Sequence, residues 1–220
     1  MSLSAVIFDM DGVIIDSEPL HVKVVINMLG DLGVEVGAPD MIKYTGTSNA
    51  NMWDAIIATY GLKKSKDELR EDQHRRNMQT LAQCNNILLA GIKELMTEIQ
   101  KEGLPMAIAS SSNMEYIQGV VEKYGLSAYM RAIVSGEQVK QSKPHPEIFL
   151  KTAHQLGVDP EACVVIEDSQ HGVQAGVDAG MKVIGLINPN SGKQNLSKAS
   201  CCVDSLVSIN PAMMRGLFGR

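Results

Sequence analysis

The chain has 220 residues, 45% of them apolar and 20% charged, enough to bury a substantial core in one or two domains and too apolar for a disordered tail. Twenty Lys and Arg against 25 Asp and Glu leave a net charge of -5, with aromatic residues at 4%, which excludes the basic surface and stacking platforms of a nucleic-acid binder. No apolar run approaches the ~18–20 residues that cross a bilayer, and the chain opens on a short strand and acids instead of a signal peptide. The four cysteines, Cys84, Cys163, Cys201 and Cys202, lack zinc-type spacing. The expectation is a cytoplasmic protein with reduced thiols, a monomer or weak homodimer without membrane or nucleic-acid partners.

In chain order, residues 5–8 form a short continuous apolar run, and comparable runs return at 105–109, 132–134, 163–166 and 182–187. Uninterrupted runs of this kind suit strands buried on both faces, and their alternation with helix-like segments makes the sheet parallel and Rossmann-like, an α/β class. Between the first and second runs the character changes. Residues 20–32, 52–60 and 65–81 carry helical periodicity with hardly a strand-like run, so 17–84 reads as an inserted all-helical domain and 1–16 with 85–220 as the core. Linkers near Asp16 and Asn85-Asn86 permit a hinge. The periodicity predicts further helices over 92–101 and 147–156, with Pro146 and Pro160 at first helical positions, where proline costs nothing. Ser112-Asn113-Met114-Glu115 reads as a capping box, and the tail 211–220 packs on the core or on a partner.

Two strand ends carry acids. Val6-Ile7-Phe8 runs directly into Asp9-Met10-Asp11-Gly12, and Val164-Val165-Ile166 into Glu167-Asp168. A calcium loop is excluded for the first, since Gly12 stands at the fourth position where such a loop needs the sixth. In a parallel sheet both ends lie at the carboxyl edge, where doubly wound folds bind ligands. Asp9, Asp11, Glu167 and Asp168 brought together repel one another unless a cation sits among them, and hard oxygen donors suit Mg²⁺. Ser110-Ser111-Ser112 follows the second run at a helix start, which favours an anion, and Lys143 supplies an ammonium on a loop stiffened by Pro144 and Pro146. These two elements fit a phosphate, and the resemblance described next implies a small phosphorylated metabolite as the partner.

With these pieces in this order the sequence resembles the haloacid dehalogenase superfamily, in the branch with a helical cap inserted after the first motif. Asp9-x-Asp11-Gly12-Val13 is similar to the first motif, Ser110 to the second, Lys143-Pro144 to the third and Glu167-Asp168 to the fourth. The resemblance implies that Asp9 attacks phosphorus, that Asp11 serves as general acid and base, and that Ser110 and Lys143 bind phosphoryl oxygens. It further implies a Mg²⁺ held by Asp9, the Asp11 backbone carbonyl and Asp168, helped by Glu167. An acid at Asp11 points to phosphoryl chemistry and away from the dehalogenases. The segment Asp16-Ser17-Glu18-Pro19-Leu20-His21 resembles the family's cap-leading segment, where His21 assists proton transfer, fixes the closed cap, or is a plain surface histidine. Thr45-Gly46-Thr47-Ser48 resembles the specificity loop. At the next position the related beta-phosphoglucomutases carry an Arg that grips a second phosphate, and this chain has Asn49, which favours a sugar-phosphate phosphatase over a hexose-phosphate mutase. Arg75 or Arg76 could replace that charge. A receiver-type regulator shares the acids and the Lys-Pro pair, but needs only about 120 residues and no cap.

Overall fold

A computed structural model describes residues 2–41, 44 and 49–219, the side chains of 49 and 50 excepted. The chain divides into two compact units, residues 1–16 with 87–220, and 17–86.

The first unit is built on six parallel strands: β1 (Ala5–Phe8), β2 (Met106–Ser110), β3 (Met130–Ser135), β4 (Cys163–Glu167), β5 (Lys182–Leu186) and β6 (Cys201–Val203). They lie in the order β3-β2-β1-β4-β5-β6. Every residue of β1, β2 and β4 is buried, which is why these strands carry no polar alternation. The chain runs outward from β1 through β2 to β3, then crosses back to place β4 on the other side of β1. That reversal is the switch point at which open parallel sheets bind ligands. The register sets the site. Phe8 lies opposite Ile108 on one side and Ile166 on the other, so the residues following β1 emerge between the ends of β2 and β4.

Helices α5 (Ile92–Lys101), α6 (Met114–Lys123), α7 (Glu147–Leu156) and α8 (Gln170–Asp178) connect the strands. The core includes Ile7, Phe149, Val165, Val173 and Val183. The tail helix (Pro211–Gly216) buries Met214 completely and pairs Arg215 with Glu102 at 2.6 Å, so it packs on this unit.

The structure corrects several local expectations. Strand β6 was not foreseen: three half-exposed residues at a sheet edge carry no periodic signal. Asn113, not Ser112, caps α6, accepting from the Tyr116 amide at 2.9 Å. Pro146 is the cap of α7, one residue before its first turn, and Pro160 opens only a single 3-10 turn, Pro160–Ala162.

In the second unit the described elements are helices: α1 (Glu18–Asp31), α2 (Ala38–Met41), α3 (Asn49–Tyr60) and α4 (Lys66–Gln83). Their apolar faces converge on Val25, Met28, Leu29, Trp53, Ile56 and Leu69. Trp53 Nε1 donates to Gln73 Oε1 at 2.8 Å, satisfying a buried indole that would otherwise cost the bundle. A capping box at Ser65 and Glu68 starts α4. No helix among the described residues is long and apolar enough to cross a membrane.

Candidate active site

Asp9 leaves β1 as a continuation of the ladder, its amide donating to the Ile166 carbonyl at 3.0 Å. Directly after it the backbone folds back tightly. The Ile14 and Ile15 amides both reach the Met10 carbonyl, and Gly12 takes φ +81. A side chain there would be strained by that φ and would run into the Asp168 carboxylate. Gly12 therefore lets the first loop lie against the acid that follows β4.

Lys143 organises the centre. Its ammonium donates to Asp9 Oδ1 at 2.5 Å, Glu167 Oε1 at 2.8 Å and the Ala109 carbonyl at 3.1 Å, and it stands 4.9 Å from the centroid of the Phe149 ring. Glu167 accepts on its other oxygen from the Ser169 amide and hydroxyl at 2.8 and 2.9 Å. Gly172 of α8 leaves room for that carboxylate. Both oxygens of Glu167 are thus engaged in holding Lys143 and the start of α8.

Asp11 turns the other way. Its Oδ2 accepts from the Ser112 hydroxyl at 2.8 Å and from Ser110 at 3.4 Å, while Ser110 Oγ also accepts the Ser112 amide at 3.1 Å. Ser110 and Ser112 thus orient the second acid. The sequence places Ser112 both in the anion-favouring triplet and in a capping box; the structure turns its hydroxyl to Asp11. On the far side, Asp168 Oδ2 accepts from Ser191, in the turn after β5. Ser191 gave no sequence signal beyond turn chemistry.

Asp9, Glu167 and Asp168 are 6%, 1% and 6% exposed, and Lys143 is the one ammonium hydrogen-bonded among them in the described residues. Burial pushes the Asp9 carboxyl up to about 8 against the opposing pull of Lys143, with Glu167 and Asp11 adding repulsion. Asp168 is raised for the same reasons, burial first, then Glu167 and Asp9. Lys143 itself is held in the charged form by Asp9 and Glu167 despite burial. The excess negative charge is the condition a hard divalent cation relieves. Asp9 Oδ2 and Asp168 Oδ1 have no hydrogen-bond partner among the described residues, which fits a cation with oxygen ligands. Among the described residues no three His, Cys, Asp or Glu side chains are placed to hold a metal; Glu167 and Asp11 are committed to Lys143, Ser169, Ser110 and Ser112.

The other predicted residues belong to the helical unit. His21 lies in the first turn of α1 in the helical unit. Gly46, Thr47 and Ser48 lie outside the described residues, as does the side chain of Asn49, whose backbone opens α3. Arg76 is paired with Asp31 at 2.7 Å and Asp72 at 3.2 Å, and Arg75 is paired with Asp72.

Residues 6–186 match the family model of haloacid dehalogenase-like hydrolases. Hexitol phosphatase B of Escherichia coli (strain K12) is 34% identical over 184 residues, 82% of this chain and 82% of that protein. The chloroplastic protein SUPPRESSOR OF QUENCHING 1 of Arabidopsis thaliana is 34% identical over 99% of this chain, which spans only 20% of that protein's length. Among solved structures, a beta-phosphoglucomutase from Clostridium difficile has a TM-score of 0.83 at 27% identity, over 98% of this chain and 97% of that one.

Proposed function

The chain belongs to the haloacid dehalogenase-like hydrolases, and from that premise we propose that it hydrolyses the phosphate ester of a small sugar phosphate through a covalent intermediate on Asp9. One observation carries the reading. Asp9 is a buried carboxylate at the end of the central strand, with one oxygen held by Lys143 and the other without a hydrogen-bond partner among the described residues. Held in this way, the second oxygen is a positioned nucleophile.

In the first step Asp9 Oδ2 forms a bond to phosphorus as the bond to the sugar oxygen breaks, and Asp11 gives the departing alkoxide its proton. In the second step water attacks phosphorus, Asp11 takes a proton from it, and the acyl phosphate bond breaks to return the Asp9 carboxylate with inorganic phosphate. The Ser110 and Ser112 hydroxyls hold Asp11 in place for both transfers. Lys143 orients Asp9, and Glu167 supplies the second negative charge that keeps Lys143 protonated. Asp9, Asp168 and the Asp11 backbone carbonyl would hold Mg²⁺, which neutralises charge on the phosphoryl oxygens when bound. Phosphoryl transfer asks for little more than such positioning and neutralisation.

Hydrolysis is favoured over phosphoryl return to a sugar. A second phosphate dianion needs a cationic partner; Asn49 cannot supply one, and Arg76 is already paired with two acids within its own unit. The test measures phosphate release from a panel of sugar and sugar-alcohol phosphates with Mg²⁺, and the partition of phosphoryl groups between water and added glucose 1-phosphate. Release should dominate, and Asp9→Asn should lower it ~10³-fold or more. Activity retained in Asp9→Asn would remove the mechanism, and majority transfer to the sugar would make the protein a mutase.

A further inference from the structure

The turn after β5 is tied to the acidic segments after β1 and β4 by side chains that the proposed chemistry does not use. Asn188 is buried, and its Nδ2 donates to the Gly12 carbonyl at 3.0 Å while its Oδ1 accepts the Asn190 amide at 2.9 Å. Asn190 Nδ2 donates to Asp16 Oδ2 at 2.7 Å. Ser191, closing the Pro189–Ser191 3-10 turn, donates its hydroxyl to Asp168 Oδ2. Gln194 then braces the turn from behind, Nε2 on the Ser191 carbonyl at 2.8 Å and Oε1 under the Gln170 amide at 3.0 Å.

Residues 188–194 thereby close a ring of hydrogen bonds from the loop after β1, through the turn, to the acid after β4 and the start of α8. Gly12 completes it, since a Cβ there would stand 2.9 Å from Ser191 Oγ as well as against Asp168. A buried carboxylate rotates about χ1 and χ2 unless something fixes it. Here one oxygen is fixed from outside the acidic segments, and the other is left for a ligand.

We propose that Ser191 is a positioning residue for the cation site: its hydroxyl, held in place by Asn188 and Gln194, fixes the Asp168 carboxylate in the orientation that receives the divalent ion. This rests on the reading that Asp168 is a cation ligand. Hydrogen bonds from outside a ligand set orient the ligands, and losing one typically weakens metal binding by ~10–100-fold.

The experiment is calorimetric titration of Mg²⁺ into the full chain without substrate, using Ser191→Thr and Ser191→Val, which are nearly equal in volume and differ in the hydroxyl. Ser191→Ala and Asp168→Asn complete the set, and each variant is checked by thermal melting. The expected result is Mg²⁺ binding within about threefold of the unmodified protein for Thr, and ~10–100-fold weaker for Val and Ala. Turnover of Val should recover to within about threefold at saturating Mg²⁺. Equal Mg²⁺ affinity for Thr and Val overturns the proposal, whatever Ala does. If Asp168→Asn binds Mg²⁺ as the unmodified protein does, Asp168 is not a ligand and the underlying reading fails instead.

Discussion

Gly172→Ala sets two physical effects against each other at one atom. Gly172 lies inside α8 with ordinary helical φ, so propensity alone favours alanine by about 1 kcal/mol. The structure predicts the opposite sign. A Cβ at this position would overlap the Glu167 carboxylate, well inside the 3.0 Å that real Cβ contacts essentially never breach, and its neighbours there are Oε1, Cδ and Oε2 of one fully buried side chain. Glu167 cannot move without giving up its bonds to Lys143 and to the Ser169 amide and hydroxyl. Breaking a buried ion pair costs about 3–5 kcal/mol, and Lys143 keeps Asp9 as a partner, which places the cost at the lower end of that range. Against the propensity gain, the net is a destabilisation of ~2–3 kcal/mol, or roughly 4–12 °C in melting temperature at ~2–4 °C per kcal/mol for a chain of this size. Gly30→Ala in α1 is the control, because nothing lies within 4 Å of its Cβ position; it should be neutral or stabilising by about 0.5 kcal/mol. Differential scanning calorimetry of both variants reads the two signs directly. Gly172→Ala as stable as the unmodified protein would refute the claim that the Glu167–Lys143 pair is fixed by the packing of α8.

Two further outcomes follow from the same geometry. Ser112→Ala, which removes a hydrogen bond from Asp11, should slow the first, phosphoryl-transfer step from a sugar phosphate ~10-fold in single-turnover measurements but leave that step from p-nitrophenyl phosphate little changed, since that leaving group needs no proton; equal losses in that step on both substrates would contradict the acid role given to Asp11. The pH dependence comes from Asp9, raised from 3.8 to about 8 by burial, and from Asp168, which burial also raises: above 3.8 and up to the raised values the folded chain holds protons that the unfolded chain has lost, so stability falls as pH rises through the window. Lys143 is raised and stays charged throughout, so it contributes no slope there. Mg²⁺ competes with those protons, and its stabilisation should be small near pH 6 and largest above pH 8, as measured by melting temperature with and without the ion; a Mg²⁺ effect indifferent to pH would count against Asp9 as a ligand.

The strands of the core were legible because a run buried on both faces leaves a continuous apolar signature, and the acids were legible because each follows such a run directly. Val6-Ile7-Phe8 ahead of Asp9 and Val164-Val165-Ile166 ahead of Glu167 announce strand and site together. Strand β6 was invisible, since its pairing depends on a neighbour and its three residues alternate nothing. Ser112 satisfied two local patterns, and only Asp11, 101 positions away in the loop after β1, decided where its hydroxyl points.

What the sequence by itself determined was which residue types stand at the ends of which strands, because burial and helical periodicity are written locally. Tertiary structure decided how the acids divide their work. Glu167 faces Lys143 and Ser169, Asp11 faces Ser110 and Ser112, and Asp168 faces Ser191, 23 positions later in the chain. Adjacent side chains on a turning backbone point in different directions, and what each meets is set by the register of the sheet and by the glycines, Gly12 and Gly172, that let other segments come close.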